Sequence, residues 1–108
     1  MGKPPSLSLG SVAILHAVAS GSRFGFDVMD ATGLTSGTVY PALDRLESLG
    51  LVESEWEDED DAHRRGRPAR RYFALTATGE LALSEALNRY KSLRPVGGLV
   101  GAPEARKA

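Results

Sequence analysis

The chain has 108 residues and 42% hydrophobic content, enough for one modest core and too little for most multidomain enzymes. It contains no Cys, which excludes disulfide frameworks, thiol nucleophiles and thiolate-bound metals or iron–sulfur clusters. Thirteen basic residues against 14 acidic ones give a net charge of −1, which at face value argues against a nucleic-acid partner.

In chain order, Val12, Leu15, Val18 and Ala19, widened by Ile14, stand at helical spacing and predict a first helix over 7–20, stopped by Gly21. Phe24, Val28 and Ala31, with Phe26 and Met29 beside them, predict a short second helix over 23–32, with Gly33 where a left-handed C-terminal residue belongs. Thr35 or Ser36 offers an N-cap to a third helix, in which Val39, Leu43, Leu46 and Leu49 recur before Gly50. Pro41 inside that run conflicts least with a glycine four residues earlier, and Gly37 stands there. A Gly-Thr-Tyr-Pro helix start suits close approach to another surface.

The pattern then changes to a period of two. Val52, Ser54 and Trp56 alternate with Glu53 and Glu55, and Arg71, Phe73 and Leu75 alternate with Arg70, Tyr72 and Ala74, predicting two strands over 51–56 and 69–75 joined as a hairpin by about eleven charged loop residues. Within that loop, Glu57 to Asp61 are all acidic, and Arg64, Arg65, Arg67, Arg70 and Arg71 follow almost at once. Without those five acids the chain carries 13 basic against 9 acidic residues, so its average charge hides a segregation by segment. Thr76 can cap a last helix over 77–93, with Leu83, Ala86, Leu87, Tyr90 and Leu93 as its apolar stripe.

Three helices, a strand, a charged loop, a strand and a helix is the order of a winged helix-turn-helix domain followed by one further helix. The expected fold is therefore mainly α with a small β-hairpin. Its segments are a flexible N-terminus 1–6, a winged-helix domain 7–76, a C-terminal dimerisation helix 77–93 and a flexible tail 94–108. The third helix becomes the recognition helix and the hairpin its wing, whose arginines can reach phosphates or a narrow minor groove. Tyr40, at the start of the third helix, can reach a phosphate with its hydroxyl or rest on the core as a surface aromatic. Arg45 lies away from the buried stripe and can hold a phosphate or read a guanine edge.

The residues also carry a family resemblance over roughly 7–83. Leu9-Gly10, Phe24-Gly25-Phe26, the run Gly37 to Glu47, Gly50-Leu51-Val52, Gly66-Arg67-Pro68, Arg71-Tyr72-Phe73 and Leu75-Thr76 with Gly79 together resemble the small subfamily of PadR transcriptional regulators. The resemblance implies a homodimeric repressor with its third helix in the major groove of double-stranded DNA and its C-terminal helix at the dimer interface. It implies that Ser36, Thr38, Tyr40 and Arg45 face DNA and that Arg64, Arg65, Arg67 and Arg70 touch the DNA backbone. The family's drug-sensing tryptophan has no counterpart in the C-terminal helix of this chain, and the acidic run is longer than the family's wing leads one to expect.

Leu83, Leu87 and Tyr90 can pack a terminal helix onto its own domain, but they are expected at the dimer contact, because a helix of about 17 residues is roughly 25 Å long and exposes apolar surface if it projects. Trp56 is expected as core or hinge packing, with the lining of an effector pocket as the alternative, and His16 as a packed helix residue. His16 and His63 are too far apart to suggest a metal pair, no cofactor is expected, and no Ser or Thr sits in a nucleophile turn, so no enzyme is expected. No membrane span or basic-then-apolar leader is read, and the chain is expected to be cytoplasmic. Two other functions stay open: a sensor whose basic wing takes an anionic effector or a nucleotide, and a winged-helix protein-interaction module that does not touch DNA.

Overall fold

In the computed structural model, which describes residues 7–91, helix α1 (Leu9–Ala19) begins where Ser8 Oγ accepts the Ser11 N–H at 3.1 Å. The expected flexible ends 1–6 and 94–108, and Leu93, lie outside the described residues. Val12, Ile14, Leu15, Ala17 and Val18 of α1 are buried, which makes it the helix around which the core is arranged. Two expectations fail here. Ala19, the last residue of α1, is exposed, and so is His16, which falls on the helix edge shared with Leu9 and Ser20.

Helix α2 (Gly25–Thr32) is shorter than the pattern suggests, because Phe24 is extended and bridges Tyr72 of the later hairpin. Only Gly25 and Val28 are fully buried, while Phe26 and Ala31 face outward. Gly33 closes α2 at φ +76°, donating its N–H to the Met29 carbonyl at 2.8 Å. Helix α3 (Ser36–Ser48) follows after two residues and buries Val39, Leu43 and Leu46 completely; Leu49, expected on that stripe, is exposed. The Thr35 carbonyl accepts the Thr38 and Val39 N–H groups, with no side-chain cap.

Strands β1 (Val52–Trp56) and β2 (Arg71–Leu75) pair antiparallel, Val52 opposite Leu75 and Trp56 opposite Arg71. The alternation holds, but the hairpin outruns the core. Val52 and Phe73 are buried, whereas Trp56 at the far end of the same face is 65% exposed, so it is not the core residue its position in the pattern suggests.

The charged connection is not all loop. Residues Glu59–Arg64 form a short helix, α4, capped by Asp58, whose side chain accepts the Asp61 N–H at 3.1 Å. Three acids occupy its first turn, His63 and Arg64 its last, and Gly66 follows at φ +74°. Those charges match the helix dipole at both ends, so the acid-then-arginine order that reads as a loop also describes a capped helix.

Helix α5 (Ala77–Lys91) starts at Thr76, whose Oγ1 accepts the Gly79 N–H at 2.9 Å and donates to the Gly50 carbonyl at 2.6 Å. A Cβ on Gly79 would lie 1.8 Å from the Leu51 carbonyl oxygen, so the first turn of α5 rests directly on backbone. α5 packs on α1 and β2 through Ala82, Leu83 and Ala86. Leu83 thus belongs to the chain's own core, whereas Leu87 stays 42% exposed and Tyr90 is half-buried. Among the described residues no helix is long and apolar enough to cross a membrane.

Candidate nucleic-acid interface

One contact at the α2–α3 corner is possible only with glycine. A Cβ on Gly25 would sit 2.3 to 2.4 Å from the hydroxyl and ring of Tyr40, so the hydroxyl end of the ring rests directly on the first turn of α2. Tyr40 is nonetheless 43% exposed, and its hydroxyl end is set by two helices rather than one. Ser36 and Thr38 are exposed on the same first turns of α3. Gly37 and Pro41 are exposed too, and a Cβ on Gly37 would meet nothing closer than Thr35 Oγ1 at 3.9 Å. Packing among the described residues therefore does not require Gly37, which leaves that turn open to an approaching surface. Arg45 is exposed on the flank facing α1, where its Nη2 donates to Ser11 Oγ at 3.3 Å.

The five wing arginines occupy different environments. Arg65 is exposed, caps α4 with its backbone N–H on the Asp61 and Ala62 carbonyls, and has a guanidinium that makes no hydrogen bond or ion pair among the described residues. Arg64 pairs with Asp61 one helical turn earlier, at the solvent. Arg67 is mostly covered and makes a bidentate pair with Glu57, Nη1 to Oε1 at 2.6 Å and Nη2 to Oε2 at 2.9 Å. Glu57 Oε1 also accepts the Arg70 N–H at 3.2 Å. The hydrogen bond from Arg67 holds the Glu57 carboxyl below the usual carboxylate value of 4.5 against the opposing effect of burial, and the same bond pushes Arg67 up. The Arg70 guanidinium lies 4.1 Å over the centre of the Phe24 ring and makes no ion pair among the described residues. Arg71 faces α3 and donates to Asp44, Glu47 and Ser54.

Helix α3 and the wing meet around a cavity of about 510 Å³, whose walls include Phe24, Phe26, Tyr40, Trp56, Arg67 and Arg70. Phe26 at 68% and Trp56 at 65% exposure are its least covered rings. The sequence pattern does not disclose this gathering: helical spacing puts Phe24 and Phe26 on a helix stripe, and alternation puts Trp56 in the core. The alternation at Trp56 gives its face, but how far the strand outruns the core is a tertiary fact. No group of His, Asp and Glu among the described residues could hold a metal ion.

A short α2–turn–α3 unit, with α3 half-exposed beside an arginine-bearing antiparallel hairpin, defines a winged helix-turn-helix protein. The chain belongs to the PadR-like family of transcriptional regulators, whose family model matches residues 14–85. Among solved structures it is similar to a PadR-like transcription factor from Bacteroides fragilis, at 26% identity and a TM-score of 0.65 over 75% of this chain and 79% of that one. A PadR family transcription regulator from Clostridium difficile R20291 is 22% identical, with a TM-score of 0.67 over 78% and 88% of the two chains. BpsR of Bordetella bronchiseptica, whose DNA binding is regulated by 6-hydroxynicotinic acid, is 22% identical with a TM-score of 0.68 over 94% and 78%. The likeness to these last two is one of fold. No curated protein matches the chain.

Proposed function

We propose that the chain is a sequence-specific DNA-binding repressor. It acts as a homodimer on a near-palindromic operator whose half-sites lie about one helical turn apart. In this reading α3 enters the major groove with Ser36, Thr38, Tyr40 and Arg45 towards DNA, while Arg64, Arg65 and Arg70 meet the backbone or the minor groove and Arg67 holds the wing's shape. One observation carries it: Tyr40 of α3 and Arg67 and Arg70 of the wing line the same cavity, so recognition helix and basic wing form one continuous surface. The dimer contact would use Leu87 and Tyr90 of α5, with residues 7–76 as the DNA-binding unit, and repression would follow from occluding the promoter.

Duplex binding measured against added salt tests the reading. Affinity should fall steeply as phosphate-bound counterions are replaced, and sequencing of genomic DNA pulled down with the protein should return a near-palindromic site. Binding that is absent at low salt, with no enriched site, overturns it.

A second reading, a sensor for an anionic effector, is favoured by the same cavity, in which aromatic rings stand beside the Arg70 guanidinium. Occupancy would compete with DNA, because Tyr40 and Arg70 serve both. Thermal stabilisation by members of a nucleotide panel, with parallel loss of duplex binding, is the expected result.

A further inference from the structure

We infer that Arg71 is a positioning residue for DNA recognition: it is a strut that fixes the wing against the recognition helix through Asp44 and Glu47, and it does not contact phosphate. The inference rests on the DNA-binding reading above.

All three nitrogens of the Arg71 guanidinium are engaged. Nε donates to Ser54 Oγ at 3.1 Å, Nη1 to Asp44 Oδ1 at 3.2 Å, and Nη2 to Glu47 Oε1. Ser54 Oγ in turn donates to Glu47 Oε2 at 2.8 Å, which closes a ring of bonds through β2, α3 and β1. The guanidinium also lies 5.0 Å over the centre of the buried Phe73 ring, which holds it against the core side of the hairpin. The side chain is 28% exposed and borders the cavity, but its charge is already met by two carboxylates and its fork is turned to α3, so a phosphate there would compete with both acids. Asp44 and Glu47 are one turn apart on α3, on the edge that also carries Tyr40, so the strut fixes the same edge of the helix that meets the wing across the cavity.

Two carboxylates on a DNA-facing helix are a liability if only their charge matters, because they repel phosphate. Their use in orienting Arg71, and with it the wing, explains why they stand there. Field and strut therefore predict opposite signs. Removing a negative charge by Glu47→Gln should tighten DNA binding if charge alone acts, and should weaken it if the strut positions the wing. Lysine also separates the two, since it keeps the charge of Arg71 but lacks the planar fork that serves three acceptors.

The test measures affinity of the full chain for a mixed-sequence duplex at low salt, well below the unfolding temperature of every variant. Hydrogen exchange reads DNA-induced protection of α3 and of residues 57–70 separately. We expect Glu47→Gln, Arg71→Met and Arg71→Lys each to weaken binding about 2- to 10-fold, the size of a coupling between contacting residues. The Glu47→Gln/Arg71→Met double variant should be no weaker than either single one. Protection of α3 should persist while that of the wing is lost. Tighter or unchanged binding by Glu47→Gln, wild-type affinity in Arg71→Lys, or equal loss of protection in α3 and wing overturns the inference. Wild-type protein that binds no duplex overturns the underlying reading, and the strut's role in recognition with it.

Discussion

Arg67 and Glu57 form the best-covered ion pair of the wing: two parallel bonds of 2.6 and 2.9 Å between side chains that are 22% and 11% exposed. The pair spans the base of the charged excursion, from just after β1 to just before β2, and so closes the connection that contains α4. Arg67 therefore keeps the wing's shape, and in the DNA-binding reading proposed above the wing arginines that meet phosphate are Arg64, Arg65 and Arg70.

A pH dependence follows from that pair. The Glu57 carboxyl is held below its ordinary value of 4.5, chiefly by the hydrogen bond from Arg67, so its contribution to stability is complete above that value and is lost as pH falls through the lowered folded value. Thermal unfolding followed from neutral pH down into the acid range should show wild type losing more stability than Glu57→Gln, with the two curves converging at the acid end. Parallel curves would mean that the pair does not contribute.

Tyr40 and Gly25 make a second, steric pair. Gly25→Ala forces a methyl into the Tyr40 ring, and overpacking of this kind costs about 1–3 kcal/mol. The ring is a side-chain terminus and can swing away, so the cost should largely vanish in a Tyr40→Ala background, while DNA affinity falls in both. Urea unfolding of the four proteins gives the coupling directly. A Gly25→Ala penalty that persists without the Tyr40 ring would show that the contact is not its source.

Much of this architecture is legible in the sequence, for identifiable reasons. The 3.6-residue spacing of Val39, Leu43 and Leu46 reflects a helix face that is wholly buried, and Gly33 stands where a left-handed residue must. The failures come where local pattern and tertiary position part. Trp56 keeps its place in the alternation but lies beyond the edge of the core, and Phe24 has helix-like spacing yet pairs with Tyr72. Leu83 and Leu87 share one apolar stripe in the sequence, but α1 covers only the part containing Leu83. The cap at Asp58 is present in the sequence as an acid three residues before Asp61, masked by the charge of the whole run. Pairings such as Arg71 with Asp44 and Glu47, 27 and 24 residues away, leave no local mark at all.

Two glycine substitutions should move stability in opposite directions. Gly79→Ala pushes a methyl against the Leu51 carbonyl, which is backbone and cannot turn aside, so α5 must lift from the hairpin and the loss should be about 3 kcal/mol or more. Gly10 lies in α1, and a methyl group there would meet nothing within 4 Å among the described residues, so Gly10→Ala should gain roughly 0.5–1 kcal/mol from helix propensity. Denaturant midpoints at equal m-value check both.

Leu83 and Leu87 separate folding from assembly. Leu83→Ala removes a side chain buried in the chain's own core and should cost about 2–5 kcal/mol of stability. Leu87→Glu alters an exposed position, so the folded protomer should tolerate it, but an acid there should break a dimer built on α5. Sedimentation of the Leu87→Glu protein should show monomers that unfold near the wild-type protomer's midpoint and bind operator DNA weakly, because two half-sites then no longer act together. A dimer that survives Leu87→Glu assigns the assembly to another face. The exposed Leu81, on the opposite side of α5 from its buried face, is then the next residue to change.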